Sequence, residues 1–167
     1  MPVTAAQVRE LRDKTGAGIM DCKRALEESD GDIAKAEAIL NKKGLASAAK
    51  KAGRSTSEGL VVSYIHTGGR VGSMIELNCE TDFVARTDEF EVLGRNLAMQ
   101  VAAMSPRFVD RDSVPEDAEE VKDEELLLEQ EYIRDSSMKI ADLVTDSIGK
   151  FGENIHIRRF SRFELGG

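Results

Sequence analysis

Residues 59–77 have the sequence GLVVSYIHTGGRVGSMIEL. Apolar and polar residues tend to alternate on both sides of the central Thr-Gly-Gly segment, and alternation with a period of two is typical of β-strands. Two neighbouring glycines supply the left-handed backbone conformations that tight hairpin turns require. The pattern therefore predicts a β-hairpin.

Three short helices are predicted ahead of this hairpin, within residues 4–44. Thr4 followed by Gln7 is a capping box, which begins the first helix. Gly44 is expected to end the third helix. The Ala-, Lys- and Ser-rich residues 45–57 are typical of a helical tail that runs into a linker.

The chain beyond the hairpin predicts two longer helices and a closing strand. Thr87 is a candidate N-cap for a helix over residues 87–104, and an apolar stripe predicts another helix over 140–151. Residues 155–165, IHIRRFSRFEL, alternate like a strand, but Phe160 is out of phase and indicates a β-bulge. The expected fold class is α+β, with three N-terminal helices and then a three-stranded antiparallel sheet packed with helices.

One face of that sheet has no predicted cover. Its alternation leaves four apolar side chains outward, namely Val61, Ile65, Met74 and Phe160. An exposed apolar face of this kind favours a partner surface, and a second copy of the chain is one candidate.

The composition excludes several classes of protein. The chain has 167 residues and a formal net charge of −8, which disfavours direct binding to nucleic acid. No run of apolar residues is long enough to span a membrane, and the N-terminal residues lack the apolar core of a secretory signal. The charge is concentrated between positions 110 and 135, which hold twelve acidic and three basic residues.

The cysteines and histidines lack the spacing of a metal site. Cys22, Cys79, His66 and His156 are far apart in sequence and form none of the usual close zinc-ligand pairs. We therefore expect two reduced thiols and no resident metal.

The segment CETDFVART at residues 79–87 places an aromatic ring in a short connection between a strand and a helix. Two interpretations are open at this point: Phe83 folds back into its own core, or it inserts into a partner. Glu80 and Asp82 are also near enough in sequence to act as a catalytic carboxylate pair. No nucleophile motif or phosphate-binding loop accompanies them, so we expect no catalytic residues.

Five blocks in order resemble bacterial elongation factor Ts: TGAGIMDCKRAL, KKAGR, EGLVVSYIHTGGRVG, ELNCETDFVART and GENIHIRRFSRFEL. The resemblance implies a cytoplasmic translation factor without enzymatic activity and without a bound cofactor. Its partner would be the GDP-bound GTPase elongation factor Tu, from which it would release GDP in exchange for GTP.

The resemblance also implies roles for particular residues. It assigns Thr81, Asp82, Phe83 and Val84 to a loop that disturbs the Mg²⁺ ion beside the nucleotide of the partner. It assigns partner contacts to Ile19, Met20 and His66. For Ile19 and Met20, packing in the core of the small helical domain is an alternative, and a histidine at a hairpin turn is commonly only solvated.

The predicted organisation is a three-helix domain with its linker at 1–54 and an α+β core for dimerisation and exchange at 55–167. The first domain also resembles ubiquitin-associated domains, so an adaptor without exchange activity is the alternative function. Many elongation factors Ts carry a helical hairpin where this chain has a short acidic connection at about 105–135. Short members pair as homodimers, which fits the uncovered sheet face. Whether residues 126–133 form a strand or a helix is open.

Overall fold

The computed structural model describes residues 3–167, and it divides the chain into two compact units. The first holds the described residues up to Gly53 together with Thr145–Asn154, and the second holds Arg54–Val144 together with Ile155–Gly167. The helices are α1 (Ala5–Thr15), α2 (Ile19–Glu28), α3 (Ile33–Lys51), α4 (Asp82–Ala85), α5 (Asp88–Met104) and α6 (Ile140–Phe151). The strands are β1 (Glu58–Ile65), β2 (Val71–Cys79), β3 (Glu131–Tyr132), β4 (Asp135–Lys139) and β5 (Ile155–Glu164). This arrangement confirms the α+β prediction, and the division into domains at 1–54 and 55–167 stays a prediction.

The first unit is a helical bundle around a small apolar core. The predicted capping box is present: the Thr4 hydroxyl accepts from the Gln7 backbone N–H at 3.3 Å, and the Gln7 side chain accepts from the Thr4 N–H at 2.9 Å. The buried core side chains are Leu11, Cys22, Ala25, Leu26, Ala36 and Leu40. Each of the three helices α1, α2 and α3 therefore contributes buried side chains to one core.

Gly44 does not end α3, as the sequence predicted it would. The helix continues through Gly44 to Lys51. The residues that follow the glycine are mostly alanine, lysine and leucine, which have high helix propensity and offset the cost of about 1 kcal/mol for one glycine inside a helix.

The second unit is built on the predicted hairpin. Strands β1 and β2 pair antiparallel from Glu58↔Cys79 to Ile65↔Gly72, and β5 adds to the other edge of β2, so that the strand order is β1-β2-β5. Helix α5 covers one face, and its predicted N-cap is present because the Thr87 hydroxyl accepts from the Phe90 N–H. The shared core includes Val62, Ile75, Leu77, Phe90, Leu97 and Val101.

A β-bulge in β5 changes which side chains face outward. Glu76 pairs with Arg159 whereas Leu77 pairs with Ile157, so Arg158 is the extra residue. Beyond it Phe160 lies opposite the buried Ile75 and is half-buried on the covered face. The prediction that Phe160 belongs to the uncovered face is therefore wrong.

Phe163 takes the outward position instead. It lies opposite Gly72, and 75% of its surface is exposed. The exposed apolar residues Val61, Ile65, Met74 and Phe163, which we call the outer sheet face, thus occupy the side of the sheet away from α5.

The acidic connection is ordered by side-chain amides. The buried Gln100 side chain donates to the Glu131 carbonyl at 3.0 Å and accepts from the Ile133 N–H at 2.9 Å. The Gln130 side chain donates to the Glu124 carbonyl at 2.8 Å. Residues 126–133 form neither one long strand nor one helix, since a 3₁₀ turn at Leu127–Glu129 precedes the short β3–β4 hairpin.

Candidate functional site

The segment between β2 and α5 folds into a single helical turn, α4. The Thr81 hydroxyl accepts from the Val84 N–H at 3.4 Å, and the Thr81 carbonyl accepts from the Ala85 N–H at 3.2 Å. At this end the buried Cys79 thiol also donates to the Thr81 carbonyl, at 3.2 Å. The side chain of Ala85 is buried, with 5% of its surface exposed, and it anchors the turn to the second unit.

Phe83 lies on the opposite side of this turn. Its side chain is 82% exposed, more than any other large apolar residue that the structure describes as exposed. The interpretation in which Phe83 folds back into its own core is therefore wrong. Exposing an aromatic ring to water is unfavourable, so the ring is available for burial against another molecule.

The two acidic residues of the segment pair with arginines. The Asp82 carboxylate forms an ion pair with the guanidinium of Arg86, one helical turn later, at 3.2 Å. The Glu80 carboxylate lies 3.5 Å from the guanidinium of Arg54. Over residues 3–167 no group of three or more His, Cys, Asp or Glu side chains is arranged to hold a metal ion. The carboxylates thus brace the segment through ion pairs.

Ile19 and Met20 begin α2 and are both exposed, at 54% and 57% of their surface. Core packing, the alternative for these two residues, is therefore wrong. Ile19 also lines an open groove of about 580 Å³ along α1, whose other walls include Val3, Val8, Arg9 and Lys23. The groove presents apolar surface, and its charged lining consists of three basic residues and Asp13.

His66 lies in the turn between β1 and β2, where its backbone N–H donates to the Val71 carbonyl at 2.9 Å. The His66 side chain is exposed, and its Nδ1 is 2.9 Å from the Tyr64 hydroxyl. The ring is therefore held by a neighbour rather than only by water.

The outer sheet face carries a charged cluster that sequence reasoning missed. Because of the bulge, the consecutive residues Arg158 and Arg159 both reach the Glu76 carboxylate, at 3.1 and 2.7 Å. These hydrogen bonds, first that from Arg159 and then that from Arg158, lower the pKa of Glu76 below its ordinary value. The sequence shows two consecutive arginines in an otherwise alternating strand, but it does not identify Glu76 as their partner.

None of the helices formed by the described residues is both long and apolar enough to cross a membrane.

Comparisons with known proteins decide the family. A profile described as Elongation factor TS matches residues 47–132, just over half of the chain. Elongation factor Ts of Anaeromyxobacter dehalogenans strain 2CP-1 is 50% identical, over 98% of this chain and 89% of the relative. The chain belongs to the elongation factor Ts family. Elongation factor Ts of Thermotoga neapolitana is also 50% identical (99% of this chain, 98% of the relative), and that of Fervidobacterium nodosum is 47% identical (99% and 100%).

An elongation factor Ts is a nucleotide-exchange factor for elongation factor Tu and not an enzyme, which confirms the resemblance seen in the sequence. The alignments with the Anaeromyxobacter and Thermotoga factors run over 194 positions, more than the 167 residues of this chain. These elongation factors Ts therefore carry at least two dozen residues that this chain lacks.

Proposed function

We propose that this chain binds the GDP-bound form of elongation factor Tu and speeds GDP release by inserting the α4 turn beside the nucleotide site. In this proposal Thr81, Asp82, Phe83 and Val84 displace the groups that hold the Mg²⁺ ion of the partner. The exposure of Phe83 on a hydrogen-bonded turn is the observation that carries the proposal.

The free energy gained by burying the Phe83 ring is large enough to affect the rate of GDP release. Burying an exposed phenylalanine on docking is worth about 1.5–3 kcal/mol, which corresponds to about 10- to 150-fold in a rate or an equilibrium constant. In nucleotide-binding GTPases the Mg²⁺ ion bridges the phosphate oxygens and neutralises their charge. Shifting that ion weakens GDP binding without any contact to the base.

Linkage then constrains the mechanism. If the factor lowers the affinity of the partner for GDP, then GDP lowers the affinity of the partner for the factor by the same ratio. The factor thus speeds exchange in either direction, and the relative concentrations of GTP and GDP set the outcome. No acid, base or bound cofactor of the factor takes part.

Ile19 and Met20 are proposed as a second contact with the GTPase. Both are exposed at the start of α2, and the lining of the adjacent groove combines apolar side chains with a net positive charge, from Arg9, Arg12 and Lys23 against Asp13. Such a surface suits an amphipathic helix with acidic flanks. His66 is proposed as a further contact, with its ring oriented by Tyr64.

We also propose that two copies pair through the outer sheet face and that the protein works in the cytoplasm, where translation elongation takes place. Val61, Ile65, Met74 and Phe163 are all exposed on that face in the single chain. Pairing would bury these side chains on both copies, because a symmetric dimer uses the same patch of each chain.

Release of a fluorescent GDP from elongation factor Tu tests the central proposal. The native chain is compared with Phe83→Ala and with the control Val92→Ala, which removes an exposed apolar side chain from α5 (53% exposed) outside the proposed contacts. We expect Phe83→Ala to lose roughly 10-fold or more of the acceleration while the control keeps it. If Phe83→Ala accelerates release as well as the native chain does, the ring is not the active part of the turn.

A further inference from the structure

The hydroxyl of Thr87 joins the α4 turn to the long helix α5. It donates to the Val84 carbonyl at 2.8 Å and accepts from the Phe90 N–H at 3.2 Å. The Thr87 backbone N–H donates to the same Val84 carbonyl at 3.1 Å. One side chain is thus bonded both to the last turn of one helix and to the first turn of the next.

The two ends of this connection differ in how firmly they are held. Phe90, in the first turn of α5, is fully buried, whereas Phe83 is exposed beside Val84. Thr81 closes the other end of the turn by accepting from the Val84 N–H. Val84 directly follows the residue that carries the exposed ring, and it is bonded through its N–H to Thr81 and through its carbonyl to Thr87.

We infer that Thr87 is a positioning residue for nucleotide exchange, which fixes the direction of Phe83 by tying α4 to the first turn of α5, where Phe90 is buried. This inference rests on the proposed function of Phe83. A ring that is already ordered before docking loses less conformational freedom when it inserts, so more of its burial energy is available to disturb the partner. Thr87 itself touches neither the nucleotide nor the Mg²⁺ ion in this scheme.

Thr87→Val tests the inference because it removes the hydroxyl and keeps the shape of the side chain. In the GDP-release assay we expect the maximal rate at saturating factor to fall about 5- to 10-fold, the size expected for the loss of a helix cap. The half-saturating concentration of factor should change less than about twofold, since the other contacts remain. Thr87→Ser restores the hydroxyl and should restore the rate.

The control Val101→Ala shows whether a general loss of stability, rather than loss of the Thr87 hydroxyl, lowers the rate of GDP release. This change removes methyl groups from the fully buried core of α5, far along the helix from the turn. It should lower thermal stability and leave the maximal rate unchanged. Hydrogen exchange of the Ala85 and Arg86 amides, which donate within the turn, should accelerate in Thr87→Val and not in Val101→Ala.

A double variant separates failure of this inference from failure of the proposed function. If Thr87 acts through the ring, Phe83→Ala with Thr87→Val releases GDP no more slowly than Phe83→Ala alone. If Thr87→Val slows GDP release in the Phe83→Ala background as much as it does in the native chain, the positioning role is overturned. The proposed role of Phe83 is not affected by that result. If Phe83→Ala releases GDP as fast as the native chain does, both the proposed function of Phe83 and the inference about Thr87 are overturned. The single variant gives that result before Thr87 is changed.

Discussion

Replacing Phe163 with serine tests whether the outer sheet face joins two copies of the chain. Phe163 is the most exposed member of that face, and the bulge at Arg158 is what turns it outward. In the single chain the ring is mostly in water, so its removal should change the stability of the monomer little. In a dimer it would be buried, and its removal should weaken association.

The magnitude follows from the exposed fraction. Full burial of a phenylalanine side chain is worth about 1.5–3 kcal/mol, and 75% of this one is still available for burial. A symmetric pair holds the residue twice, so the substitution should cost about 2–4.5 kcal/mol of association free energy. At 1.4 kcal/mol per factor of ten, the dissociation constant of the dimer should rise roughly 30- to 1,500-fold.

Sedimentation equilibrium over a wide range of protein concentration measures that constant directly. Leu45→Ser, which removes an apolar side chain of comparable exposure (59%) from α3, is the matched control and should leave the constant unchanged. The reasoning is refuted if Phe163→Ser associates as tightly as the native chain. It is also refuted if the native chain is monomeric throughout the range.

Two further outcomes follow from the second unit. Gly59→Ala should destabilise the chain by about 2 kcal/mol or more in urea denaturation, because φ is +150° there and an added Cβ would lie 2.1 Å from the Leu77 carbonyl oxygen. Glu76→Gln should lower stability near neutral pH, because hydrogen bonds from Arg159 and Arg158 lower the pKa of Glu76. A group with a lowered pKa contributes stability that is present above its ordinary pKa of 4.5 and is lost as the pH falls through its pKa in the folded chain. The unfolding free energies of the native chain and Glu76→Gln should therefore converge in acid. A difference that persists in acid contradicts this account.

The sequence predicted the elements for which local signals and periodicity agree. The Thr67–Gly69 region is a tight turn in the structure, with the Gly69 N–H donating to the His66 carbonyl at 2.9 Å, and the strands on both sides pair in register. Thr87 was identified as an N-cap because its hydroxyl can satisfy an N–H that no helical carbonyl reaches. Such signals depend on a few neighbouring residues, so one sequence is enough to find them.

The position of the bulge could not be predicted in the same way. One extra residue reverses the faces of all residues that follow it. An extra residue at Arg158 or Arg159 returns Phe160 to the covered face, whereas an extra residue at Phe160 takes that ring out of the alternation. In the structure the two consecutive arginines share Glu76 of the neighbouring strand. Only the pairing of β5 with β2 selects among these three positions, and the local sequence pattern of β5 does not contain that pairing.

The acidic connection was missed for a related reason. Its order depends on Gln100, which is 30 residues away from Gln130 and bonds to backbone groups around it. A buried amide that satisfies distant carbonyls and N–H groups leaves no periodic trace. The sequence shows only a strongly acidic composition there.

The outward direction of Phe83 has a simpler physical origin. In a helical turn of 3.6 residues, positions two apart lie about 200° around the axis and so on opposite sides. Ala85, the smallest side chain of the turn, is the one buried against the second unit, which turns Phe83 into water. The hydrogen bonds of Thr81 and Thr87 keep the turn helical and thereby keep this opposition in place. The placement of one small residue and two caps thus maintains an exposed ring that burial in its own core would otherwise remove from reach of a partner.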